Sequence, residues 1–156
     1  MSINVSTSST SGYTLSIASS TGSTDLTNQS DNTKKFNSIS SNLTNSDFSN
    51  SSNTQYNNKW GYKPSQYVTV SGNTYTTVSN TGSSSVFKPL PGTSGEIIAR
   101  TNCANGTSPC TNATDNYTSS IGARANNQTA IGSYVSDTFI ITAVTNKSVV
   151  SCDSTS

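Results

Sequence analysis

Apolar and polar residues alternate strictly in several short stretches of this chain, while the three-to-four spacing of an amphipathic helix appears in none. In GYTLSIA (12–18), Tyr13, Leu15 and Ile17 share one face and Thr14 and Ser16 the other, the pattern of a half-buried strand. QYVTVSGNTYTTV (66–78) reads as two strands around Ser71-Gly72-Asn73, with Val68 and Val70 before the turn and Tyr75 or Val78 after it. EIIAR (96–100) and SIGARA (120–125) are two more short strands, the second alternating Ile121, Ala123 and Ala125. The connections 19–33 and 40–58 are rich in Ser and Asn and too polar to be core. Roughly seven to nine short strands separated by such turns predict an all-β antiparallel sandwich with little or no helix.

The most apolar run is AIGSYVSDTFIITAVTN (130–146). From Phe139 onward, Phe139, Ile141 and Ala143 fall on one face, with Ile140, Thr142 and Val144 on the other. Tyr134 stands five positions before Phe139, so alternation alone puts it on the wrong side. One extra residue at Ser136-Asp137, taken up as a β-bulge, brings Tyr134 and Phe139 together. Apolar residues on both faces predict a central strand. The expected core markers are Tyr13, Leu15, Trp60, Tyr134, Phe139 and Ile141.

Composition narrows the classes of function. Hydrophobic residues make up 29% of the 156, charged residues 10%, and the net charge is +1. An apolar supply this thin would suggest disorder if the net charge were high; here Thr suits strands, while Ser, Asn and Gly suit turns. The eight basic residues are scattered, which argues against nucleic acid as a partner. No run of 18 apolar residues exists, so no membrane-spanning helix is expected. The first residues, MSINVSTSST, lack a basic flank followed by an apolar stretch, so targeting and anchoring segments are expected outside this chain.

Cys103 and Cys110 bracket Asn-Gly and Ser-Pro turn formers, which predicts a disulfide at the base of a tight loop and an oxidising compartment. A zinc site needs four ligands, and the chain has three Cys and no His. Cys152 is left over. Neither a metal nor any other cofactor is expected.

Three stretches in order, SGYTLSIASSTGSTDLTN (11–28), NNKWGYKPSQY (57–67) and IGARANNQTAIGSYVSDTFIITAVTN (121–146), resemble a family. It comprises the Ser/Thr-rich immunoglobulin-like β-sandwich domains of cell-surface and pilin-like proteins from Saccharibacteria-type ultrasmall bacteria and some Gram-positives. Gly12 to Leu15, Trp60 to Tyr62, Gly122 with Ala123, and Gly132 with Tyr134 carry the likeness. It implies an extracellular domain at a cell surface, structural as a fibre, stalk or pilin-like subunit, or adhesive. The implied partners are further copies of the chain or molecules of a neighbouring or host cell surface, glycans among them. The segment 1–11 would then be a polar strand available to a neighbour's sheet, 12–146 a single sandwich domain, and 147–156 a tail.

Trp60, Tyr62 and Tyr67 are the conspicuous aromatic group. They form either a sugar-stacking platform, the basis of a carbohydrate-binding module, or the filling of the sandwich core, with the core reading preferred in a chain this poor in apolar residues. Nine Asn-x-Ser/Thr sequons, at Asn4, Asn28, Asn42, Asn50, Asn105, Asn112, Asn116, Asn127 and Asn146, are what so much Asn, Ser and Thr produces by chance. A lysine–asparagine isopeptide bond would draw on Lys34, Lys59 or Lys63 with Asn146, assisted by Asp25 or Glu96, but no spacing selects a pair. Neither Asp25 with Asp31 nor Asp115 forms a calcium loop. With no His and a single Glu, Glu96, a catalytic constellation is not expected, and the chain reads as a non-enzyme.

Overall fold

The computed structural model describes residues 1–7, 11–101, 113–136 and 139–146. Among them are thirteen strands and one short helix, which build an all-β, sandwich-like arrangement. The strand count exceeds the expected seven to nine because strands of two to four residues add to it, two of them within the connections 19–33 and 40–58 read as loops. These are β3 (Leu26–Asn28), β4 (Lys35–Ser38), β5 (Leu43–Thr44), β9 (Val86–Phe87) and β12 (Tyr134–Val135). The N-terminal strand β1 (Ser2–Thr7) and the long β11 (Ala113–Arg124) pair antiparallel, Ser2 opposite Thr118 and Thr7 opposite Ala113. The segment expected to serve a neighbour's sheet therefore pairs within its own.

The larger sheet has the order β1-β11-β6-β4-β3-β12, with β6 (Lys59–Pro64) at its centre. One pair in it, β4 with β6, is parallel rather than antiparallel, Asn37 lying opposite Lys59 and Ser38 opposite Trp60. The second sheet has the order β10-β2-β13, formed by β10 (Glu96–Arg100), β2 (Tyr13–Ser19) and β13 (Phe139–Thr145). The predicted hairpin is present as β7 (Gln66–Ser71) and β8 (Thr74–Ser79), paired from Gln66–Ser79 to Ser71–Thr74 around Gly72-Asn73.

Between the two main sheets lies the larger core. Strand β2 alternates as its sequence dictates, burying Tyr13, Leu15, Ile17 and Ser19. Facing it are Val5, Phe36, Trp60, Tyr62 and Tyr117, with Leu90, Ile98 and Ala99 closing the cluster. Trp60 is fully buried and its indole Nε1–H donates to the Thr24 carbonyl at 2.8 Å, so the ring is buried without an orphaned donor. Tyrosine supplies what aliphatic residues do not: a large apolar ring with a polar tip. The Tyr13 hydroxyl donates to Asp115 Oδ2 at 2.6 Å and lies 2.5 Å from the Tyr117 hydroxyl.

The C-terminal run departs from expectation. It is two strands in two different sheets, not one bulged strand: β12 pairs with β3 in the larger sheet and β13 with β2 in the smaller. Tyr134 and Phe139 both pack on the main core, but from opposite sheets. Tyr134 meets Phe36 edge-on at 4.7 Å, and Phe139 lies 6.4 Å from Trp60. The odd spacing between them is where the chain crosses between sheets. Nor is β13 central: among the described residues it pairs only with β2, and Ile141, the expected core marker, is 36% exposed, with Ile140 at 45% and Val144 at 54%. Strand β2 is the central one.

A second, smaller core sits on the opposite face of the larger sheet. There β5, β9 and α1 (Asn45–Ser49) hold Ile39, Leu43, Phe48 and Phe87. Two glycines make this layer possible. Gly61 of β6 lies directly opposite Gly122 of β11. A Cβ on Gly122 would stand 2.5 Å from the Phe87 ring and 2.9 Å from that of Phe48. One on Gly61 would stand 2.7 Å from Ile39 Cδ1 and 3.0 Å from the Lys88 carbonyl oxygen. Their neighbours Trp60 and Tyr62 point into the main core, so β6 is covered on both faces, Trp60, Gly61 and Tyr62 all being buried. Cys103, Cys110 and Cys152, and with them the expected disulfide, lie outside the described residues, as does the tail 147–156.

Gly122→Val should overpack the second core and cost about 2 kcal/mol or more, lowering the melting temperature by about 4–8 °C. Urea unfolding with an unchanged m value would confirm it, and an unshifted midpoint would refute the close packing.

Candidate functional site

The aromatic group weighed as an alternative sugar platform does not form one. Trp60 is fully buried and Tyr62 is 3% exposed, so neither presents a ring face to a ligand. Tyr67 is half-buried, and its ring is already covered by the Lys88 ammonium, 3.7 Å from the ring centroid. The core reading of Trp60 and Tyr62 accounts for their positions.

Glu96 is committed elsewhere too. One carboxylate oxygen pairs with the Lys88 Nζ, and the other accepts a hydrogen bond from the Tyr62 hydroxyl. Lys88 is held in place by its own backbone, which exchanges two hydrogen bonds with Tyr62, at 3.0 and 2.7 Å. The lysine that meets Glu96 is thus Lys88 and not Lys34, Lys59 or Lys63. Asn146 is a backbone staple: its Nδ2 donates to the Ser11 and Thr101 carbonyls at 3.0 and 2.6 Å, and its Oδ1 accepts from Thr14. Asn28, 2% exposed, likewise accepts from the backbone N–H groups of Ser30 and Asp31 and donates to the Ile131 carbonyl. Both of these sequon amides are occupied within the fold.

A cleft of about 580 Å³ lies over the second core. Three elements build it. Thr44 caps α1, its Oγ1 accepting from the Asp47 backbone N–H at 3.1 Å, and the single turn that follows places Asn45 beside Phe48. Phe48 and Phe87, their centroids 4.9 Å apart, form the apolar floor against Gly122. Beyond Gly122, two residues along β11 and therefore on the same face, stands Arg124. Its backbone carbonyl accepts from the Asn58 N–H at 2.8 Å, and Asn58 has a left-handed φ of 54° that turns the chain into β6. Asn57 and Asn126 complete the rim.

The polar groups of this cleft are unevenly committed. Asn126 Oδ1 accepts from Gln128 and Thr129 and shapes its own turn. Among the described residues the side-chain amides of Asn45 and Asn57 have no hydrogen-bond partner, and Arg124 faces no carboxylate. The Arg124 Nη1 is fully shielded from solvent and has no partner. Sequence reasoning passed over these residues. SIGARA shows only strand alternation, and Asn45 and Asn57 lie in the stretch 40–58 read as connection.

Three tyrosines give the protein a pH signature. Burial, with the hydrogen bond to Glu96, pushes the Tyr62 hydroxyl well above the usual tyrosine range. Burial, with Asp115 and Tyr117, does the same to Tyr13, and burial raises Tyr117. The unfolded chain loses these protons near the ordinary value of about 10, whereas the folded chain keeps them. Stability should therefore be unaffected by these groups below about pH 10 and fall as pH rises above it. In an alkaline titration, the phenolate absorbance of the three should appear together with loss of the fold. Its appearance in the still-folded protein would contradict their burial.

No family model, no curated protein and no solved structure matches this chain.

Proposed function

We propose that this chain is an extracellular, non-enzymatic β-sandwich module of a cell surface, and that it is adhesive, taking carbohydrate in the cleft above Phe48 and Phe87. The observation that carries the binding reading is the cleft itself, in which an apolar floor is ringed by the uncommitted amides of Asn45 and Asn57 and by Arg124. Sugars offer this combination: hydroxyls for amides and an apolar ring face for a hydrophobic floor. The surface composition agrees with an extracellular setting, since Ser, Thr and Asn keep a protein hydrated with only 10% charged residues. The carbohydrate reading thus moves from Trp60, which is buried, to the opposite face of the larger sheet.

On a glycan array the wild-type chain should bind a restricted set of sugars. The double variant Asn45→Ala, Asn57→Ala should lose that binding at least tenfold, about 1.4 kcal/mol, while melting as the wild type does. Binding to no glycan, or binding indifferent to the variant, would overturn the assignment.

A second reading, a fibre or stalk subunit, draws on β13. An edge strand that exposes Ile140, Ile141 and Val144 is a template for pairing with another copy of the chain. Sedimentation should then show concentration-dependent assembly that Ile140→Lys with Val144→Lys abolishes. A wild-type chain that stays monomeric at high concentration would end this reading.

A further inference from the structure

The Arg124 cleft also bears on the kind of sugar it takes, an inference that rests on the carbohydrate reading above. We infer that the ligand carries a carboxylate, as a hexuronic acid does, and that Arg124 receives it.

A guanidinium that is partly sheltered from water and unpaired is costly. Leaving a buried donor unsatisfied is destabilising, and more so for a charged group. Elsewhere among the described residues this protein does not tolerate the expense. Lys88, a buried cation, has Glu96 at its ammonium and the Tyr67 ring against it. Lys35 has Asp25 at 3.9 Å, and Arg100 stacks on Tyr75 at 3.7 Å. Arg124 alone combines a shielded nitrogen with no acceptor.

Among the described residues its surroundings add positive charge and no carboxylate paired with it. Lys59 is the cross-strand partner of Arg124 in the β6–β11 ladder, so both side chains leave the sheet on the same face. The only acid of the neighbouring helix, Asp47, is turned back to its cap, accepting from Thr44 Oγ1 at 2.7 Å. The main chain at Arg124 is fixed by the Asn58 hydrogen bond and by the β6 ladder, so the root of the side chain is in place before any ligand arrives.

A carboxylate suits this cleft better than the alternatives. It is planar and matches the guanidinium fork with two parallel hydrogen bonds once the Arg124 side chain turns its shielded Nη1 toward the cleft. A neutral hydroxyl would fill the space but leave the charge uncompensated. The cleft volume of about 580 Å³ lies in the range of small-molecule sites, so a sugar ring on the Phe48–Phe87 floor and its carboxylate at Arg124 are accommodated together.

The test uses the full chain and a panel of hexuronate oligosaccharides, each paired with its carboxyl-reduced neutral counterpart, its methyl ester and its sulfated analogue, followed by calorimetric titration. The acid should bind at least tenfold more tightly than the neutral and esterified forms and weaken as salt rises. Arg124→Gln should erase the preference, and Arg124→Lys should retain part of it. The ester neutralises the ligand with the protein untouched, so the result stands even where a variant folds poorly. Equal binding of acid and neutral sugars, unaffected by Arg124→Gln, would overturn the carboxylate while leaving the carbohydrate site. Tighter binding of the sulfated form would overturn the carboxylate in favour of another anion. Binding of no member would overturn both the carboxylate and the sugar reading.

Discussion

Everything in this molecule is arranged about the contact between Gly61 and Gly122, cross-strand neighbours at the centre of the larger sheet. Because neither carries a side chain, the outer face of the sheet is flat there, and Ile39, Phe48 and Phe87 pack directly on backbone. The residues flanking Gly61, Trp60 and Tyr62, point the other way and fill the main core. The central strands therefore join two cores through one layer of backbone. The cleft is a consequence, for Arg124 stands two residues from Gly122 on the face the glycines cleared.

A chain with so few aliphatic residues needs other means of holding its layers together. Aromatic rings bury a large area each, and the tyrosines among them place their hydroxyls at core edges where partners exist. Tyr13 meets Asp115 and Tyr117 in one place, and Tyr62 meets Glu96 in another. Buried asparagines do for the loops what apolar residues do elsewhere. Asn80, 4% exposed, bridges the carbonyls of Pro64 and Val86 and accepts from the Val86 N–H at 2.7 Å. Each such amide satisfies several backbone groups at once, so a polar side chain is buried with its hydrogen bonds made. Arg124 is the exception to that economy, and the exception marks the cleft.

Local pattern made part of this legible. Alternation in GYTLSIA located β2 and its buried face, the Gly72-Asn73 turn located the hairpin, and EIIAR located β10. The same reasoning misplaced the C-terminal run, because apolar residues on both faces of a strand indicate low polarity, not which neighbours cover it. Tyr134 and Phe139 did converge on one core, but by a change of sheet rather than a bulge. The WGY and IGA strings looked like family markers; why each contains a glycine appears only when the two are seen opposite each other. The parallel pairing of β4 with β6 was equally invisible, since four polar-flanked residues carry no record of a partner 22 positions away.

What the sequence determined by itself is the strand character, the polar surface and the choice of large rings for the core, since these follow from residue type and from a period of two. Only the tertiary structure decided which strands are central, which aromatic residues are sheltered, and which cation lacks a counter-charge. Those are properties of what the fold brings together: Gly61 with Gly122, Lys88 with Glu96, and Arg124 with no acid among the described residues. A side chain's chemistry is written locally, but its burial and its partners depend on what the fold brings to meet it.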